Sequence, residues 1–176
     1  AVFPFEGEDE SIEYLKYGFP FGCCVSLLQD PLMEIDFPNQ FELSCWDFSI
    51  KLQSHNKKKI LPLPLKKKIA SELHCDYFMA GKIEFQNGKF QVTSKIHNSK
   101  NGKLVGEIMK ADNNPFSLID GISTQTRKIL RIPSDHIDQT QNLPIAEIFT
   151  EDIATYKKYI EGVMSRENDN DYKKSF

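Results

Sequence analysis

The chain carries only 4 cysteines in 176 residues, Cys23, Cys24, Cys45 and Cys75, with no Cys-x-x-Cys pair among them. That excludes the dense disulfide framework of a small secreted domain and leaves no zinc-ligand spacing. Free cysteine is among the most buried of residue types, so all four are expected as buried thiols, which favours a reducing compartment. Long apolar runs are also missing. Every hydrophobic stretch is broken by Lys, Asp or Pro far short of the roughly 20 residues that a helix needs to cross a bilayer. Charge of one sign is not in excess, with Lys+Arg 22 against Asp+Glu 25 and a formal net charge of -3. No global positive field is therefore available to hold nucleic acid or an anionic membrane by counterion release. Glycine-rich phosphate loops, a Gly-x-Ser-x-Gly elbow, His-Glu-x-x-His and a calcium loop are all absent, which removes the usual sequence support for those chemistries.

What is present is a chain able to fold, with 40% hydrophobic and 27% charged residues. Ala1 to Phe5 reads as a buried first strand, and its start, with neither Met nor a basic leader, as the beginning of a trimmed segment. Helical periodicity over Ser11 to Tyr17 meets Gly18, and Pro20 suits the first turn of a second stretch through Leu28, so a broken or kinked helix is expected. Leu32 to Phe37 fits a second strand, and Ser44 to Gln53 a helix. Pro64 opens a helix in which Leu65, Ile69, Ala70 and Leu73 form one stripe, with the lysines opposite in solvent. Tyr77 to Phe85, Lys89 to His97 and Leu104 to Met109 alternate apolar and polar residues. Asn87-Gly88 between the first two is a strong hairpin signal, because both turn positions need positive φ. Asn114-Pro115 opens a helix to about Leu130. Residues 133–149 read as a linker, one that can still pack on the domain. Thr150 caps an amphipathic helix through Val163, and a polar turn from Glu167 to Asp171 precedes a further helix at Tyr172.

His55, His74, His97 and His136 are too scattered to show a ligand spacing, so neither a metal nor a cofactor is expected. His74-Cys75-Asp76 invites reading as a nucleophile triad, yet sequence neighbours point in different directions where catalytic groups must converge. Asp76 is expected to close the loop into the strand instead. Lys57, Lys58, Lys59, Lys66, Lys67 and Lys68 make the clearest electrostatic feature, a candidate patch for an anion or an acidic partner. Aromatic residues do not interleave with them, which disfavours base stacking.

Several short motifs carry a resemblance. Val2-Phe3-Pro4-Phe5, then Tyr14-Leu15-Lys16-Tyr17-Gly18 leading to Leu27-Leu28, then Ile69, Leu73, Asp76-Tyr77, Gly81 and Asn101-Gly102 follow in order. The chain is similar in these to the TolB amino-terminal-like domain of bacterial multidomain signalling proteins. Thr155-Tyr156-Lys157-Lys158-Tyr159-Ile160-Glu161-Gly162, with Asp171-Tyr172, resembles the entry into a tetratricopeptide repeat. Tyr17 stands where that family commonly has Asp, Pro20 interrupts its helix, and Cys45 to Pro64 reads as an insertion. The resemblance implies an α+β fold: a small mixed five-stranded sheet with helices on one face, like the anticodon-binding domains of class II aminoacyl-tRNA synthetases, and a C-terminal helical hairpin. The domain would span residues 1–132 and the truncated repeat residues 150–176.

The expectation that follows is a non-enzymatic interaction or sensory module with a protein partner, without membrane insertion, able to oligomerise through the truncated repeat. The alternative is RNA or phosphate binding by the two lysine clusters. A cytoplasmic setting follows from the unpaired cysteines, a periplasmic one from the resemblance to TolB.

Overall fold

A computed structural model describes residues 1–37, 61–140 and 142–170. The helix expected over Ser44 to Gln53 lies outside the described residues, as do Cys45 and His55. The described elements are a 3-10 turn at Glu10–Ile12, then α1 (Glu13–Leu28), α2 (Leu63–Glu72), β1 (Tyr77–Gln86), β2 (Lys89–Asn98), β3 (Leu104–Asp112), α3 (Pro115–Ile129), α4 (Ser134–Gln139), α5 (Ile145–Ile148) and α6 (Ile153–Asn170).

The sheet is a three-stranded antiparallel meander in the order β1-β2-β3. Asn87 and Gly88 both take positive φ, 53° and 74°, as the tight turn between β1 and β2 requires. Among the described residues the sheet has three strands, not the five expected. Ala1 to Glu6 runs beside β1 but forms only two isolated parallel bridges, Val2 with Met79 and Glu6 with Lys82. Leu32 to Phe37 is no strand. It contributes one backbone bond, from the Val2 N–H to the Asp36 carbonyl at 2.9 Å. The next residue facing that side is Pro4, which has no N–H to extend a ladder.

Alternation along the strands defines two faces. Met79, Ile83, Phe90, Val92, Ile96 and Ile108 enter the main core with residues of α1, α3, α5 and α6. Phe78 points the other way and joins Phe3, Ile69 and Ala70 in a smaller core beneath α2. Helices therefore lie on both faces of the sheet, not on one. Each fully buried aliphatic or aromatic side chain here contributes about 1.5–3 kcal/mol relative to exposure.

Of the break or kink expected at Gly18 and Pro20, the break does not occur: α1 is continuous through Pro20. Proline removes the hydrogen bond that residue 20 would give to the carbonyl of residue 16. That carbonyl is taken instead by the Phe5 N–H at 2.7 Å, so a tertiary bond replaces the lost helical one.

Residues 133–149, expected as a linker, contain α4 and α5, with Ile145 fully buried in the main core. Beyond them, α6 packs on α1. Tyr156 and Ile160 are fully buried in that same core. The Tyr156 hydroxyl donates to the Gly18 carbonyl at 2.7 Å. Gly18 permits this approach, since a β-carbon there would lie 3.0 Å from Ile160 Cγ1. The cap of α6 is Asp152 rather than Thr150, its carboxylate accepting from the Thr155 N–H at 2.9 Å and from the Ala154 N–H at 3.3 Å. The helix continues to Asn170, through most of the polar turn expected from Glu167 to Asp171. The further helix at Tyr172 lies outside the described residues.

Candidate functional site: the free edge of the sheet

Ala1 to Glu6 lies along β1, but among the described residues nothing pairs with the outer edge of β3. A free edge presents a row of unpaired N–H and C=O groups, and proteins commonly blunt it with charge, proline or a bulge. Here the register shifts between Ile96 and His97 leave Val105 without a direct partner, a bulge near one end of β3. The rest of the strand is regular from Gly106 to Asp112. Its exposed side chains include large apolar ones, Leu104 at 52%, Val105 at 42% and Met109 at 74% of full exposure. Met109 is opposite Thr93, on the face away from the main core, where Glu107 pairs with Lys95 at 3.4 Å.

The β2–β3 turn at the Leu104 end of this edge is tightly built. Asn98 Oδ1 accepts from the Lys100 and Asn101 N–H groups at 3.1 and 3.2 Å, and Asn101 Oδ1 accepts from the Lys103 N–H at 2.8 Å. The Gly102 N–H donates to the Asn98 carbonyl, and Gly102 takes a φ of 75°. The Ser99 N–H donates to the Asp76 carbonyl at 2.9 Å, so Asp76 ties the turn to β1. His97 supports it from below: Nδ1 lies 3.2 Å from the Gly102 carbonyl, and its ring stacks on Phe78 at 5.1 Å.

The lysines singled out by sequence divide here. Lys57, Lys58 and Lys59 lie outside the described residues. Lys66, expected in solvent, is buried and bonded to Glu6 Oε1 at 2.9 Å, because its position on α2 faces the Ala1 to Glu6 segment. Lys68 stays exposed, 3.9 Å from Glu72 one turn on. Lys67 passes over the β2–β3 turn, its Cδ 3.4 Å from where a β-carbon on Gly102 would stand. It is thereby brought to the same turn as Lys100 and Lys103, which sequence reasoning does not single out. The signal available is only their place in an Asn-rich turn, and nothing local links that turn to α2.

The His74-Cys75-Asp76 run does not converge. Cys75 is half-buried rather than buried, and its Sγ lies 3.3 Å from Asp36 Oδ2, with no hydrogen bond to His74 or Asp76. Burial and then the Asp36 carboxylate push its thiol up from the ordinary value, the opposite of an activated thiolate. Cys23 and Cys24 are buried in α1, with burial pushing Cys23 up to about 12 and Cys24 well above its usual value.

A buried polar cluster lies where α1, α3 and α4 meet. Asp30, just past α1, and Arg127 on α3 are both buried, with Asp30 Oδ2 3.2 Å from Arg127 Nε. His136 Nε2 on α4 lies 2.9 Å from Asp30 Oδ1, and the Leu32 N–H donates to that same oxygen at 3.0 Å. Arg127 Nη2 also donates to the Ser26 carbonyl. Burial raises the Asp30 carboxyl, but the Leu32 N–H, His136 and Arg127 outweigh it and hold the group below the ordinary aspartate value. Each of these partners ties one helix end to another, so the cluster is structural. Among the described residues no group of three His, Cys, Asp or Glu side chains is arranged to hold a metal ion.

The fold has solved counterparts. A PelC dodecamer from Paraburkholderia phytofirmans matches with a TM-score of 0.50 at 10% identity, over 76% of this chain and 86% of that one. A point variant of the PelC dodecamer from the same organism gives 0.49 at 10% identity over 75% and 86%. Lipoprotein GNA1162 from Neisseria meningitidis gives 0.46 at 13% identity over 74% and 94%. No family model matches the chain, and no curated protein does either. At such identities the first match speaks for a shared mixed α+β fold and no more. No described helix is long and apolar enough to cross a membrane.

Proposed function

We propose that this chain is a non-catalytic protein-interaction module whose contact surface is the free edge of β3 with the exposed Leu104, Val105 and Met109. The carrying observation is that these three large apolar side chains cluster on the one sheet edge left unpaired among the described residues. Scattered exposed apolar residues need no explanation, but several along one open edge form a template for an added strand. The PelC dodecamer assembles from a chain of similar fold, which makes association of such folds through their surfaces a natural extension. The resemblance of the short motifs to TolB amino-terminal-like domains supports reading the module as part of a multidomain bacterial signalling protein, with α6 as the entry to a repeat array.

A photo-crosslinking amino acid placed at Ala111 on β3, or at the exposed Leu28 on α1 as control, tests the surface in the host cell. Protease-sensitive adducts from position 111 and none from position 28 are expected. Adducts that form equally from both, or that only nuclease removes, contradict the reading.

A further inference from the structure

The charge at one end of the β3 edge identifies the kind of strand that fits it. Lys67 reaches the turn at Gly102 that carries Lys100 and Lys103, and none of the three forms an ion pair with any described residue. Some nearby lysines have acidic partners, Lys82 at 2.7 Å from Glu84, Lys95 at 3.4 Å from Glu107 and Lys66 at 2.9 Å from Glu6, whereas Lys89 and Lys110 stand singly without one among the described residues. Asp76, whose carbonyl receives the Ser99 N–H, makes no ion pair with the three either. In a chain of net charge -3, this is a local cationic group with no acidic partner among the described residues. The turn carrying two of the three is held by its own Asn98 and Asn101 bonds and by His97 beneath it, so the backbone that presents these charges needs no ordering at binding. Directly beyond Lys103 come Leu104 and Val105, both exposed, and then the open strand.

From this arrangement we infer that the occupant of the edge is an extended segment of a partner protein. It adds to β3 as a strand, sets apolar side chains against Val105 and Met109, and carries acidic residues at the end lying over Lys67, Lys100 and Lys103. The inference rests on the interaction reading above and adds the partner's chemistry to it. Main-chain bonds along β3 supply affinity, and the lysines select the partner and its direction by charge complementarity. Nucleic acid fits less well, because the exposed side chains that continue from the lysines along β3 are the aliphatic Leu104 and Val105, while the exposed Tyr77 ring stands opposite Asn98 on β1, across β2 from the open edge.

Selection of a random-peptide display library on the intact chain provides the probe. Selected peptides are expected to be enriched in Asp and Glu and to slow amide exchange across residues 104–112. They should bind a Lys67→Glu, Lys100→Glu, Lys103→Glu variant roughly tenfold or more weakly, with affinity that falls with salt. Lys89→Glu, at the far end of the sheet, should leave binding unchanged. Peptides that protect 104–112 without acidic enrichment overturn the charge inference and leave the interaction edge standing. Peptides that protect other residues, or no selected binder at all, overturn both. Binding of single-stranded poly-uridylate that the lysine variant abolishes, with no strand-like peptide selected, makes the partner a nucleic acid and overturns the inference.

Discussion

At the scale of single residues, Arg127 and Asp30 are the pair whose disruption costs most. Both are buried, and each charge is tolerable only because the other lies 3.2 Å away and further hydrogen bonds surround them. Arg127→Met leaves the Asp30 carboxylate with only Leu32 and His136, and is expected to cost about 3–5 kcal/mol in urea unfolding. The sign of the pH dependence follows from the lowered value of Asp30. The unfolded chain binds that proton more tightly, so the stability it contributes is complete above the ordinary aspartate value and is lost as pH falls through the lower, folded one. Asp120, raised chiefly by burial, runs the other way, its penalty being relieved as pH falls through its raised value. Asp30→Asn should therefore lower the melting temperature near neutral pH, yet lose less of it than the parent between about pH 5 and about pH 3. A variant with the parent's full acid slope would show that the acid limb belongs to other groups.

At the scale of elements, α6 belongs energetically to the α+β core. Removing residues 150–176 strips two fully buried side chains, Tyr156 and Ile160, from the main core and exposes the surface of α1 around Gly18. At about 1.5–3 kcal/mol for each such side chain, the truncated chain should lose at least about 3 kcal/mol, seen as a clear fall in melting temperature. An unchanged melting temperature would mean that α6 is independent of the core. The same element shows what is legible in sequence. Its apolar spacing announces a helix, and the Asn87-Gly88 turn, the Asn114 cap and the stripe on α2 are equally local signals that the fold keeps. Pro20 misleads because the partner that compensates it, the Phe5 N–H, lies 15 positions away in sequence, and no local pattern encodes a tertiary hydrogen bond. The strand expected over Leu32 to Phe37 rests on apolar content alone. That segment packs Met33, Ile35 and Phe37 against the core without a ladder.

At the scale of the whole molecule, the sheet has one face under the main core, part of the other under α2, and one edge left open among the described residues. The candidate surface is half legible in sequence: Lys67 stands out with its neighbours, but Lys66, expected in solvent, is buried against Glu6. Lys100 and Lys103 join Lys67 only through the fold. Charge balance over the full sequence hides the cluster, because paired and unpaired lysines count alike in a sum. The central claim is that exposed Val105 and Met109 serve contact rather than folding. The most direct measurement is a Val105→Lys, Met109→Lys variant, read both for melting temperature and for crosslinking from Ala111. The melting temperature should stay within about 2 °C of the parent, as for exposed sites, while the crosslink falls to background. A crosslink that persists unchanged, or one lost only together with a fall of many degrees in melting temperature, would contradict the account.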